Sequence, residues 1–207
     1  MFLAVAGNIG AGKSSLTALL AKSYALVPVY EAVDENPYLE DFYADMKRYA
    51  FHSQIFFLSR RLEQHLAQVN PGSRVIQDRT IYEDAAIFAR NLFQEGIMDA
   101  RDYGSYRAMY DAIRRTLKPP DVLVYLRSSV PTLQRHIAQR GRGYEADIGS
   151  SYLEKLNHLY NEWIDAYDLS PKLTLDADAL DFVNRSEDLA AVMKRLEPYG
   201  LTSPILP

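Results

Sequence analysis

Residues Gly7-Asn8-Ile9-Gly10-Ala11-Gly12-Lys13-Ser14 carry the spacing G-x-x-x-x-G-K-S. The apolar run Phe2 to Ala6 feeds directly into them, and a helical pattern (Leu16, Leu19, Leu20) follows. Strand, loop and helix in that order are what a phosphate-binding P-loop requires. Glycines at these positions let the backbone turn with its N–H groups converging on phosphate oxygens, and the helix adds the positive end of its dipole. The expected ATP-binding set is therefore Gly7, Asn8, Ile9, Gly10, Ala11, Gly12, Lys13, Ser14 and Ser15. Lys13 is expected to reach the β- and γ-phosphates, and the Ser14 hydroxyl to ligate Mg²⁺.

Phosphoryl transfer is mostly positioning and charge neutralisation, so a metal ligand, a base and arginines must accompany such a loop. Asp78 follows an apolar strand, where a carboxylate on Mg²⁺ belongs; an Asp there would equally cap the next helix. Glu31 ends another strand and is a candidate base for a hydroxyl proton, or else a surface carboxylate. Arg140 and Arg142 sit in a glycine-broken segment suited to a lid that closes over phosphates; the alternative is a solvated basic turn. Gln54 and Arg61 share one helix face, as do Asp84 and Phe88. An amide, an Arg–Asp pair and an aromatic plate suit a nucleobase edge and face, although helix packing with surface charge fits the same spacing. Phe56 and Phe57 read as core.

Strand–helix alternation positions these residues. Strands are expected at Phe2–Ala6, Ala25–Tyr30, Ser73–Gln77, Asp121–Leu126 and Leu173–Asp176. Helical pattern runs from Pro37 to about Gln68 as two helices, then over Ile81–Glu95, Asp99–Leu117, Val130–Gln139, Ser150–Tyr167 and Glu187–Leu196. The alternation implies an α/β fold, a five-stranded parallel sheet flanked by helices. The 207 residues show no linker and read as one domain, 1–207, with a lid at about 140–149 and an irregular tail at about 198–207.

Composition narrows the ligand. A net charge of -4 gives no electrostatic footprint for nucleic acid. The absence of cysteine excludes disulfides and thiolate zinc sites. His52, His65, His136 and His158 have no metal-ligand spacing and read as helix-surface residues. No apolar run approaches a membrane span, and the expected location is the cytoplasm.

These pieces fall in a familiar order. The P-loop, Tyr30-Glu31-Ala32-Val33, Asn36-Pro37-Tyr38-Leu39, Asp78-Arg79-Thr80-Ile81-Tyr82-Glu83-Asp84 and Arg140-Gly141-Arg142-Gly143-Tyr144-Glu145 together resemble the deoxynucleoside kinase family, above all its bacterial deoxyadenosine/deoxyguanosine kinase branch. The resemblance runs from residue 2 to about residue 185. It implies a P-loop kinase fold with a short arginine-bearing lid, Mg²⁺ with ATP as donor, and phosphorylation of a deoxynucleoside 5′-hydroxyl in nucleotide salvage.

Residue by residue, the resemblance makes Glu31 the general base; the family more often has Glu-Pro-Val where this chain has Glu31-Ala32-Val33. Asp78 falls near Mg²⁺, with Arg79 near the 5′-oxygen and phosphates. Tyr43 and Glu145 match residues that hold the sugar 3′-hydroxyl, Gln54 the glutamine bonded to the base, and Phe88 the stacking aromatic. Arg140 and Arg142 match lid arginines. Arg61 and Asp84 fall where deoxycytidine and deoxyguanosine kinases carry Arg and Asp, which favours a purine deoxynucleoside, allows deoxycytidine and disfavours thymidine. Animal members often have an aromatic before the glutamine; here it is Ser53. The family is usually a homodimer through helices equivalent to Ile81–Glu95 and Ser150–Tyr167.

The nearest alternative is a nucleoside monophosphate kinase of the thymidylate kinase type. It shares the P-loop and Asp-Arg, but needs basic residues for the acceptor's phosphate and no Glu31. A GTPase-like switch would require Asn-Lys-x-Asp and Asp-x-x-Gly, and the chain has neither. A non-catalytic nucleotide-binding protein would not need every catalytic position filled.

Overall fold

The computed structural model describes residues 1–30, 35–72, 74–145 and 148–201. Its five strands are β1 (Phe2–Gly7), β2 (Val27–Val29), β3 (Val75–Asp78), β4 (Val122–Arg127) and β5 (Lys172–Asp176). All pair in parallel, in the order β2-β3-β1-β4-β5. The expected five-stranded parallel sheet is thus present. β1 is central and buried throughout. Leu3 and Val5 pack into the core on one side, Phe2, Ala4 and Ala6 into that on the other. Side chains alternate across a strand, so a strand covered on both faces must be apolar at every position.

The chain leaves β1 for β2 and β3 on one side, then crosses to β4 and β5 on the other. Such a switch point opens a crevice at the carboxyl edge of the sheet. Register brings the key strand ends there: Asp78 pairs with Val5, and Gly7 with Leu126.

Helix α1 (Lys13–Tyr24) starts straight after the glycine loop and buries Leu16, Leu20 and Tyr24. Each fully buried Leu contributes about 1.5–3 kcal/mol. Ala25, expected to open the second strand, instead ends α1 in a left-handed turn (φ 50), which shortens β2. The expected pair of helices is α2 (Leu39–Ala44) and α3 (Met46–Gln64), separated by Asp45, whose carboxylate accepts the Arg48 N–H and caps α3. α3 then widens into a π-helical turn, His65–Val69.

The stretch expected as one helix from Ile81 comprises α4 (Ile81–Glu83), a π-helical segment (Asp84–Ala89) and α5 (Arg90–Gln94). Its cap is Thr80, in a reciprocal capping box with Glu83, so Asp78 is freed from the capping alternative and closes β3. The remaining helices are α6 (Ala100–Ile113), α7 (Val130–Arg140), α8 (Ser150–Ala166) and α9 (Ser186–Leu196).

Three expectations are corrected. His65 is fully buried and His136 half-buried rather than both lying on helix surfaces. The tail is ordered further than expected: Glu197–Tyr199 forms a 3₁₀ turn and Leu201 is buried in the core. Phe56 is half-buried rather than core, whereas Phe57 packs against the core of Leu39, Phe42 and Leu92 and also lines a cavity. No described helix is long and apolar enough to cross a membrane.

Candidate active site

At the carboxyl edge of the sheet the glycine loop is held open by its own backbone. Gly10 (φ 82) and Gly12 (φ 89) adopt left-handed conformations, and a Cβ on Gly10 would lie 2.7 Å from the Leu133 carbonyl oxygen. The Lys13 ammonium is buried and donates to the Asn8 carbonyl at 2.9 Å, which bends its side chain back across the loop. Asn8 is fixed from outside the loop: its amide donates to the Leu153 carbonyl (3.0 Å) and to Asn157 Oδ1 (2.8 Å) on α8. The His136 ring contacts the Gly10 carbonyl at 2.8 Å, tying α7 to the same loop.

The Ser14 hydroxyl donates to Asp78 Oδ2. Asp78 Oδ1 is buried with no hydrogen-bond partner among the described residues. Next to it, Arg79 has a left-handed backbone (φ 64), a conformation that costs about 1–3 kcal/mol and persists only where its surroundings enforce it. Its guanidinium lies 4.3 Å from the centre of the Phe88 ring.

A cavity of about 330 Å³ opens here, lined by Lys13, Ser14, Tyr43, Gln54, Arg61, Asp78, Arg79, Asp84, Phe88, Arg140, Arg142 and Glu145. Residues far apart in sequence are thereby brought to one place. Gln54 and Arg61 come from α3, Asp84 and Phe88 from the π-helical segment, whose wider turns are frequent at functional sites. Arg61 Nε donates to Asp84 Oδ2 at 2.5 Å, with both side chains buried. Arg61 also lies 5.5 Å from the Phe57 ring centre.

α7 ends at Arg140 because Gly141 (φ 68) takes the left-handed cap position. That turn lets Arg140 reach Glu145, with Nε at 3.0 Å and Nη2 at 2.5 Å from Oε2. Arg142 Nη1 is 3.7 Å from Oε1 of the same buried carboxylate. Glu31, the expected base, lies outside the described residues.

Two lining residues carried no signal in the sequence, Phe42 and Tyr152, and Tyr30 and Leu39 appeared there only as members of the family motifs. Burial pushes the Tyr152 hydroxyl up to about 12, against the pull of Arg79's charge. Glu83, buried under the loop, was assigned no role from the sequence, although Thr80-x-x-Glu83 has the spacing of a capping box. Burial raises its pKa above the ordinary glutamate value, while Arg79, the Thr80 N–H, Lys13 and Tyr160 pull against that rise.

A second cavity, about 520 Å³, lies on the other side of Lys13, Ser14 and Arg140. Arg135 and His136 line it from α7, and Asp178, Phe182 and Arg185 from the segment after β5. No pattern in the sequence places that segment at the site. The two cavities share Lys13, Ser14 and Arg140, so they adjoin at the start of α1.

Known proteins resemble this chain in sequence and fold. The family model described as deoxynucleoside kinase matches residues 3–199. The deoxyadenosine/deoxycytidine kinase of Bacillus subtilis (strain 168) is 37% identical over 196 residues, covering 94% of this chain and 90% of that protein. A deoxyguanosine kinase of Lactobacillus acidophilus is also 37% identical, over 203 residues, covering 94% of this chain and 88% of its own. The deoxyadenosine kinase of M. mycoides, solved with bound dATP, superposes with a TM-score of 0.85 at 34% identity, covering 95% of this chain and all (100%) of that one. Since the likeness spans nearly every element rather than the P-loop alone, this chain belongs to the deoxynucleoside kinase family.

Proposed function

We propose that the protein transfers the γ-phosphoryl group of ATP to the 5′-hydroxyl of a purine deoxynucleoside, with deoxycytidine as a further acceptor and thymidine disfavoured. The observation that carries this reading is the pair of cavities meeting at Lys13, Ser14 and Arg140. ATP takes the P-loop side, its phosphates on the loop's N–H groups and on Lys13. The deoxynucleoside takes the cavity of Gln54, Arg61, Asp84 and Phe88, with Tyr43 and Glu145 toward the sugar. The 5′-oxygen attacks the γ-phosphorus, the bond to the β,γ-bridging oxygen breaks, and ADP leaves. Glu31 receives the hydroxyl proton, while Arg79, Arg140 and Arg142 neutralise the moving group.

Ser14 and Asp78 fit a Mg²⁺ ion: both offer hard oxygen donors, they are in contact, and Asp78 Oδ1 has an unused lone pair in a buried place. The metal would supply charge neutralisation at the β- and γ-phosphates. Deoxyadenosine, deoxyguanosine and deoxycytidine each offer an edge that an Arg–Asp–Gln set can bond, and the names of the relatives support all three. The same reading includes a homodimer through α4, α5 and α8, in the cytoplasm where the donor is found.

The test is phosphate transfer from Mg-ATP to the four deoxynucleosides and their four monophosphates. Turnover of deoxyadenosine, deoxyguanosine or deoxycytidine with little for thymidine is expected, and Glu31→Gln should keep nucleoside binding while losing turnover. Transfer to monophosphates alone would assign the protein to the thymidylate kinase type. Normal turnover in Glu31→Gln would remove the base from its role.

A further inference from the structure

The mechanism above leaves one buried carboxylate without a task. Glu83 is fully buried, and the groups bonded to it are donors. The Thr80 N–H donates to Oε1 at 2.9 Å; the Tyr160 hydroxyl (2.9 Å) and, at the longer distance of 3.4 Å, the Gly7 N–H donate to Oε2. Arg79 Nη1 in turn donates to the Tyr160 hydroxyl at 3.4 Å. Hydrogen bonds therefore run in one direction, from Arg79 through Tyr160 and from the P-loop glycine, and end on Glu83.

A capping box requires only the Thr80 contact. The second oxygen does something else: it joins the P-loop to the strand end that carries Arg79. Tyr160 is itself fixed, with no exposed surface, stacked on Tyr125 (5.8 Å, 17°) and edge-on to Phe88 and Trp163. One turn earlier on α8, Asn157 accepts from Asn8 (2.8 Å) and donates to the Ser128 carbonyl (2.9 Å) at the end of β4. The same helix thus addresses the P-loop and both strand ends beside it.

We propose that Tyr160 and Glu83 are positioning residues, a buried relay that fixes the Arg79 guanidinium relative to the first P-loop glycine. The proposal rests on the phosphoryl-transfer reading above. Arg79 faces the cavity shared with Lys13, Asp78 and Arg140, where it must meet the phosphoryl group in flight. A misplacement of about 1 Å at such a point costs up to about 100-fold in rate.

Steady-state kinetics of the full chain with Mg-ATP and its preferred deoxynucleoside test this. Tyr160→Phe removes one oxygen and keeps the packed ring; kcat should fall roughly tenfold while the nucleoside KM changes by less than about twofold. In an Arg79→Lys background the same change should alter kcat by less than about twofold, because its effect acts through Arg79. Glu83→Gln, which keeps the side chain's size, should show the same dependence on Arg79. Thermal denaturation of each variant corrects the rates for the folded fraction. An unchanged kcat in Tyr160→Phe, or a loss that repeats in full beside Arg79→Lys, overturns the relay. If the wild-type chain phosphorylates no deoxynucleoside, the functional reading fails by itself. The relay is then judged by calorimetric binding of inorganic tripolyphosphate: several-fold weaker binding in Tyr160→Phe supports it, and equal binding overturns it.

Discussion

Arg61 and Asp84 show how much one buried contact can decide. Their bond of 2.5 Å lies among side chains with almost no exposed surface. Taking two charges out of water is costly, and each offsets part of that cost for the other. The pair also presents a fixed polar edge to the cavity, which is why it is proposed to choose the base. Asp84→Ala should therefore do two things: lower stability by about 3–5 kcal/mol, since it leaves Arg61 buried without its carboxylate, and change the ranking of deoxynucleosides. Thermal denaturation and kcat/KM across the four deoxynucleosides read both. Replacing both residues, as Arg61→Met with Asp84→Leu, should recover most of the stability but not the ranking. An unchanged ranking in either variant would exclude the pair from base selection.

At the scale of elements, the site is built from helix ends. α1 begins in the P-loop, α7 ends at Arg140, and α4 is capped at the residue after Arg79. Each end depends on a local backbone state that the sequence encodes with glycine or a capping residue. Gly10 makes the sharpest case. Gly10→Ala meets the Leu133 carbonyl at 2.7 Å and requires a left-handed alanine, so it should destabilise by about 1–3 kcal/mol and weaken ATP binding at least tenfold by calorimetry. Gly104, inside α6, has open space around its Cβ position. Gly104→Ala should leave ATP affinity unchanged and stabilise by roughly 0.5–1 kcal/mol, because alanine is the better helix former.

For the molecule as a whole, His65 links stability to acidity. It is fully buried with its ring edge-on to Phe2 (5.5 Å). Burial drives its pKa down to about 4, and the opposing Lys118 backbone contact falls short of full hydrogen-bond geometry. The unfolded chain's histidine binds a proton near pH 6.5. Between pH 6.5 and about 4 the unfolded state holds the extra proton, so stability falls as the pH drops through that window. The contribution, present in full above pH 6.5, is on the order of 3 kcal/mol and is lost by about pH 4. Urea denaturation at pH 7 and pH 5 should show the decline in the wild type and a flatter profile in His65→Leu.

The sequence by itself determined the parallel α/β sheet, the P-loop and most of the residues that line the first cavity. The sheet and the P-loop are local properties, because apolar runs, glycine spacing and helix periodicity act within a dozen residues. Gln54 with Arg61, and Asp84 with Phe88, were legible as helix faces for the same reason. Tyr43, Arg79 and Glu145 were placed by the family resemblance instead. Only the tertiary structure decided which faces meet. The Arg61–Asp84 bond, the stacking of Arg79 on Phe88, and the Glu145 contacts to Arg140 and Arg142 join segments by three-dimensional packing. The segment from Asp178 to Arg185 reaches the P-loop only because β5 lies at the sheet edge beside β4. Tyr160, in a helix patterned like any amphipathic helix, became part of the site through the neighbour its hydroxyl found. Partners of that kind are set by the order of strands in the sheet, which no local pattern in the chain records.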